Sequence, residues 1–258
     1  MAETRKKLSE KLNRYRELKK QRGMTLLEII IVLGIIGTIA AGVVILAQRA
    51  YDSKAISDLV SNTNTVRTAI KETYGPTGQY PVVQSANTLS LTEATVSTVT
   101  GANISPVAAL YQLGKLSTSE AKNNISSNFF NVGGARVGTV AGGGGAGAGG
   151  GGTNPANRAF FVEVNGLDQK QCRNILLQVG NQWDFVQVHN TGGGAGSYTQ
   201  TTDNLDLAGT AVTPASVTTG GQGIIRSLAN NGNNTITAQN VIGICSDSAQ
   251  NSIVLGSR

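Results

Sequence analysis

RGMTLLEIIIVLGIIGTIAAGVVILAQRA, residues 22–50, is the stretch whose reading decides the fold. From Ile29 to Ala47 it runs for 19 residues without a charge. A helix over that run is roughly 28 Å long at about 1.5 Å per residue, close to the ~30 Å hydrocarbon core of a bilayer. Nine Lys/Arg and three Asp/Glu precede it within residues 1–23 and account for the whole net charge of +6, because residues 24–258 carry twelve of each sign. The positive-inside rule therefore leaves residues 1–23 in the cytoplasm and sends the rest outward. A charge-balanced body gains little from phosphate neutralisation, so no nucleic-acid partner is expected. A secretory signal has an apolar region of about 7–15 residues and a small-residue cleavage site, and this run is too long and lacks the break. Hydropathy alone fits a plain single-span anchor. Glu28 does not, since an acidic side chain at the start of a span is costly unless paired, and snorkelling to the interface is its bland alternative.

Arg22-Gly23-Met24-Thr25-Leu26-Leu27-Glu28, read as a unit, is a basic leader, a Gly, and an apolar run with Glu at its fifth position. It resembles the class III signal of the type IV pilins. The long leader and the Met after Gly23 resemble the type IVb branch, the major pilins of the toxin-coregulated, longus and colonization-factor-antigen kind. The resemblance is strong over about residues 5–75 and weaker beyond. It implies that a prepilin peptidase cuts between Gly23 and Met24 and that the new Met24 amine is methylated. It also implies that the Glu28 carboxylate meets the Met24 amine of a neighbouring subunit and sets the axial register of a fibre. Either charge alone is costly in an apolar core, and paired they largely cancel.

The same helix is expected to continue to about Tyr74, because Ile56, Leu59/Val60, Thr63, Val66, Ile70 and Tyr74 recur every three or four residues and Gly75-Pro76 follows. Gly34, Gly37 and Gly42, with Thr38, Ala40 and Ala41, form small-residue ridges that allow close helix–helix approach. Residues 75–157 read as a long connection with short helices at Pro106–Leu113 and Ser117–Lys122, the second with Ser117 and Glu120 in capping-box spacing. Strands are expected at Ala159–Asn165, Asp184–His189 and Ser252–Leu255, and helices at Asp168–Val179 and Gln222–Ala229, while Ile236–Cys245 is ambiguous. The predicted fold class is α+β, a type IV pilin fold with the C-terminal half of the long helix packed on an antiparallel β-sheet globular domain. Its organisation is a leader (1–23), a membrane or fibre-core helix (24–51) and a head (52–258). The head divides into an amphipathic helix (52–74), an αβ-loop (75–157) and a sheet with a disulfide-bounded D-region (158–258).

Composition offers little to an enzyme: one His, two Cys and 14% charged residues. The chain lacks a Gly-x-Ser-x-Gly elbow. Its one Gly-Lys pair, Gly114-Lys115, is followed by Leu116 instead of the Ser or Thr of a phosphate loop. Gly142–Gly152, with nine Gly in 11 residues, reads as an exposed loop. His189 reads as a surface residue, and Asp203 and Asp206 lack a calcium-loop pattern. Asn124 and Asn233 match a glycosylation pattern that carries little weight here. Cys172 and Cys245 both lie outward of the span, where an oxidising compartment favours a disulfide over two free thiols. In the family that bridge bounds the variable region.

These readings together predict the major structural subunit of a type IVb pilus, with no catalysis, no cofactor and no metal. Its expected partners are further copies of itself in a helical homopolymer, the prepilin peptidase, and an inner-membrane assembly platform with a cytoplasmic ATPase. The subunit pool is expected in the inner membrane and the fibre outside the cell, serving adhesion, aggregation and colonisation. A minor pilin or a type II secretion pseudopilin is the near alternative, and a single-span membrane enzyme or receptor the distant one.

Overall fold

A computed structural model describes residues 25–82, 91–101, 104–138, 157–201, 205–212, 223–230 and 234–258. Gly23, Met24, Asp203, Asn233 and the Gly142–Gly152 run lie outside these residues. The chain forms two compact units, Met1–Asp52 and Ser53–Arg258. Helix α1, Leu26–Tyr74, belongs to both.

In the first unit every described residue is exposed, the apolar ones included. No Pro and no charge interrupts the helix between Glu28 and Arg49. In the second unit α1 turns one face inward. Ile56, Leu59, Thr63, Val66, Ala69 and Ile70 are buried, and Val60 and Tyr74 are half-buried beside them. The Thr63 hydroxyl donates to the Val60 carbonyl at 2.8 Å, which lets a polar residue sit on the buried face. A 3-10 turn, Gly75–Thr77, with Gly78 at φ +65°, follows the helix.

The other elements are α2 (Pro106–Gln112), β1 (Asn131–Ala135), β2 (Ala159–Leu167), α3 (Gln169–Val179), β3 (Phe185–His189), β4 (Gly223–Arg226), α4 (Ala238–Ile244) and β5 (Asn251–Ser257). The strands form one antiparallel sheet in the order β1-β2-β5-β3-β4. Alternation divides their side chains between two faces. Phe160, Val162, Val164, Val186, Val188, Ile253 and Leu255 point into the main core, which α1, α2 and α3 share. Phe161, Phe185 and Val254 point to the opposite face, where Leu207 and Leu228 cover them. Arg67 ties α1 to the sheet, donating to the Gln182 carbonyl at 2.9 Å and the Ser257 hydroxyl at 3.0 Å while its guanidinium lies over the Trp183 ring.

Three expectations require correction. Gln222–Ala229 is not a helix: Gly223–Arg226 forms β4 and Leu228–Asn230 a 3-10 turn. Of Ile224, Ile225 and Leu228, read as the inward face of that helix, Ile225 and Leu228 are buried and Ile224 is half-buried; the spacing fits a short strand and turn equally well, and pairing with β3 decides for the strand. Ser117–Lys122 is a single turn. Its Ser117–Glu120 cap hydrogen bonds form, but the chain then reverses so that Phe130 N–H reaches the Ala121 carbonyl. The segment 75–157, read as a connection with short helices, also supplies the edge strand β1. Its Gly134 sits where a Cβ would fall 2.6 Å from the Asn157 amide nitrogen.

Candidate functional site

At the start of α1, Glu28 occupies the first turn. Its amide donates to Thr25 Oγ1 at 3.3 Å, and the Ile29 amide reaches the Thr25 carbonyl at the same distance. Thr25-Leu26-Leu27-Glu28 therefore caps the helix, with Glu28 at the capping-box position where the helix dipole also favours a carboxylate. The Glu28 side chain is exposed, as are Leu26 (78%) and Leu27 (68%) beside it. Apolar side chains from Ile29 to Leu46 are 40–66% exposed, a surface no folded subunit covers by itself. A Cβ built on Gly34, Gly37 or Gly42 meets nothing within 4 Å. The small-residue ridges are thus open on a single subunit, and Thr38 satisfies its hydroxyl internally by donating to the Ile35 carbonyl at 2.9 Å. This surface suits lipid or parallel copies of the same helix. Met24 and Gly23 are not among the described residues, so the predicted pairing rests on Glu28 alone here.

Cys172 and Cys245 form a disulfide with their Cα atoms 6.1 Å apart. Both are buried. The Asp168 capping box starts α3 and the Thr237 capping box starts α4, which brings the two cysteines together. Gln169 Nε2 donates to the Cys245 carbonyl at 3.1 Å and Arg173 Nη2 to the Ile242 carbonyl at 2.9 Å, so polar bonds flank the bridge. The closed loop contains β3, β4 and their connection.

One charged group carries no signal in the sequence. Glu163 of β2 is fully buried and accepts four hydrogen bonds: from the Thr199 amide (2.6 Å) and hydroxyl (2.7 Å), the Gln200 amide (3.0 Å) and Asn131 Nδ2 (3.0 Å). Alternation places Glu163 on the face opposite the main core, which reads as solvent, but residues 190–201 lie over it. His189, expected at the surface, is half-buried on the same face. Burial pushes its imidazole below the ordinary value, and the Glu163 carboxylate opposes part of that shift. Burial, reinforced by Glu163, pushes the Tyr198 phenol up.

Among the described residues no three His, Cys, Asp or Glu gather to hold a metal ion. Asp206 instead receives the Ala208 amide of its own turn and the Gly138 amide 68 residues away in the chain, both at 2.9 Å.

Comparison with known proteins bears on this arrangement at both ends. The family model described as "Toxin-coregulated pilus subunit TcpA" matches residues 109–252, and "Prokaryotic N-terminal methylation motif" matches 18–44. The toxin coregulated pilin of Vibrio cholerae serotype O1, El Tor Inaba, is 36% identical over 209 residues, covering 81% of this chain and 76% of that one. A second V. cholerae toxin coregulated pilin is 34% identical over 210 residues with the same coverage. The crystal structure of TcpA, a type IV pilin from V. cholerae El Tor biotype, superposes with a TM-score of 0.56 at 22% identity, over 80% of this chain and 99% of that one.

Proposed function

The chain belongs to the toxin-coregulated pilus subunit family of type IVb pilins, and from that membership we propose that it is made as a precursor, cut between Gly23 and Met24, and methylated on the Met24 amine. A pilus subunit of this family polymerises with copies of itself, and its methylation motif implies a prepilin peptidase. Before assembly the apolar part of α1 holds the subunit in the inner membrane. An assembly platform and its cytoplasmic ATPase then draw it into an extracellular fibre that serves adhesion, aggregation and colonisation. The subunit itself catalyses no reaction. Within the fibre core, the Glu28 carboxylate of one copy meets the Met24 amine of the next, each cancelling a charge that is costly alone.

The observation that carries this reading is an exposed carboxylate in the first turn of a helix whose next 20 residues are uncharged and uncovered. N-terminal mass spectrometry of protein from sheared fibres tests it. A chain beginning at N-methylated Met24 is expected, and Gly23→Val is expected to accumulate as full-length precursor without fibres. A mature chain that still begins at Met1, or normal processing of Gly23→Val, overturns it.

A further inference from the structure

Asn165 and Gly166 form a bulge near the end of β2, where the register against β5 shifts between Val164 and Leu167. Gly166 has φ +69°, which glycine takes at no steric cost, and a Cβ there would fall 2.8 Å from the Ser126 side chain. Three segments of the chain meet at this pair. Asn165 Nδ2 donates to the Ser197 carbonyl at 2.8 Å and the Gly194 carbonyl at 3.3 Å, both in the connection between β3 and β4. Its Oδ1 accepts from the Ser126 hydroxyl at 2.9 Å, and its backbone carbonyl accepts from Asn123 Nδ2 at 2.7 Å. The Gly166 amide donates to the Gly193 carbonyl at 2.7 Å, and Gly193 packs so closely that a Cβ there would lie 2.5 Å from the Ser252 side chain. Asn165 is thus buried with both of its side-chain polar atoms engaged.

An Asn followed by Gly is also self-reactive, because no side chain shields the next backbone nitrogen. That nitrogen adds to the carboxamide carbon, and ammonia leaves as the bond to Nδ2 breaks. The resulting five-membered imide takes up one water at either carbonyl and opens to aspartate or isoaspartate. Ammonia out and water in balance the change, with no oxidant and no cofactor. We propose that Asn165-Gly166 is a self-modification site that the closed β3–β4 connection holds off, and that the product prevents the connection from closing again. In the folded head Cγ of Asn165 and the nitrogen of Gly166 must turn toward each other, which breaks the bonds to Ser197, Ser126 and Gly193 together. Residues 193–197 lie outside the strands and inside the Cys172–Cys245 loop, so lifting them frees the pair without parting the sheet. Reaction then replaces a two-hydrogen donor with a carboxylate oxygen that faces the Ser197 and Gly194 carbonyls, acceptor against acceptor. Isoaspartate also lengthens the backbone at a bulge with no room for a Cβ. A head that has once loosened for long enough is marked irreversibly.

Site-resolved peptide mass spectrometry on the full chain in detergent micelles at pH 8, with the disulfide intact throughout, tests this. Unfolded in urea, Asn165 is expected to lose its amide at a rate comparable to Asn231, which also precedes a Gly. In the folded subunit the loss at Asn165 is expected to be at least tenfold slower. Gly193→Ala, which lifts the connection off Ser252, is expected to speed the loss in the folded subunit at least threefold. Should that variant not fold, Ser126→Ala, which removes only the donor to Oδ1, takes its place with the same acceleration expected. Wild-type chains aged in urea, refolded and treated briefly with proteinase K carry the second half of the test. Those cut within residues 190–201 are expected to carry aspartate or isoaspartate at 165, and those left uncut to keep the amide. Equal loss in folded and unfolded chains, no acceleration in the folding variant, or cutting that ignores the state of residue 165 would each overturn the proposal.

Discussion

Glu28 and Glu163 are the same side chain put to opposite uses, and burial is what separates them. Glu28 is exposed on the lone subunit and finds its proposed counter-charge only in another copy, so its removal should spare everything that happens before assembly. Glu28→Ala is expected to be cleaved and methylated normally, since the cut lies several residues away, yet to yield few or no fibres. Immunoblots of cell and sheared fractions measure both outcomes, and abundant normal pili would end the pairing role. His189 gives a prediction that is read in pH. Its imidazole is held below the ordinary value by burial, so near pH 6.5 the unfolded chain takes up a proton that the folded one refuses. The contribution of His189 to stability is therefore level above that pH and declines as pH falls toward the lowered value. Urea midpoints measured from pH 8 to pH 5 should drop less for His189→Gln than for the wild-type chain.

The elements differ in how plainly the sequence announces them, and the reason is where their determinants lie. The span from Leu26 to Tyr74 is written locally: an uncharged run, then buried positions every three or four residues, then Gly-Pro. Strands β2, β3 and β5 are legible from short runs rich in Val, Ile and Phe, and α3 from its Asp168 cap and Gly180 stop. β1 is not, because Asn-Val-Gly-Gly-Ala has the composition of a loop and becomes a strand only through pairing with β2. β4 likewise owes its state to β3. Within the candidate site, Glu28 and the two cysteines stand out by type and position, whereas the burial of Glu163 is set by Thr199 and Gln200, more than 35 residues further along the chain. The apolar helix carries its own test. A Cβ added at Gly37 meets only open space on the lone subunit, and Val exceeds Gly in helix propensity by a few tenths of a kcal/mol. Gly37→Val should thus leave helix content and membrane insertion of the subunit unchanged, by circular dichroism and carbonate extraction, while reducing fibre yield severalfold by blocking close approach of a second helix.

For the molecule as a whole, the Cys172–Cys245 bridge is the main covalent constraint. It joins residues 73 apart, and closing a loop of that length is worth roughly 4 kcal/mol in the chain-entropy model, a large share of a domain's net stability. Cys172→Ser, Cys245→Ser and the double substitution should behave alike, each giving a protease-sensitive head and few fibres. Trypsin time courses on the three variants check this, and a resistant single variant would count against it. The sheet order has a consequence of another kind. β5 follows the other four strands in the chain but stands in the middle of the sheet, with β2 on one side and β3 on the other. While the polypeptide is being made, β1–β2 and β3–β4 are two hairpin-like halves with no seam between them until residues 251–257 emerge. The N-terminal apolar run is available to the insertion machinery some 200 residues earlier. On the proposed route, synthesis order thus separates two events that would otherwise compete: commitment of the apolar run to the bilayer comes first, and closure of the head waits until residues 251–257 have followed. Vectorial export is compatible with this protein because the piece that completes its sheet arrives late.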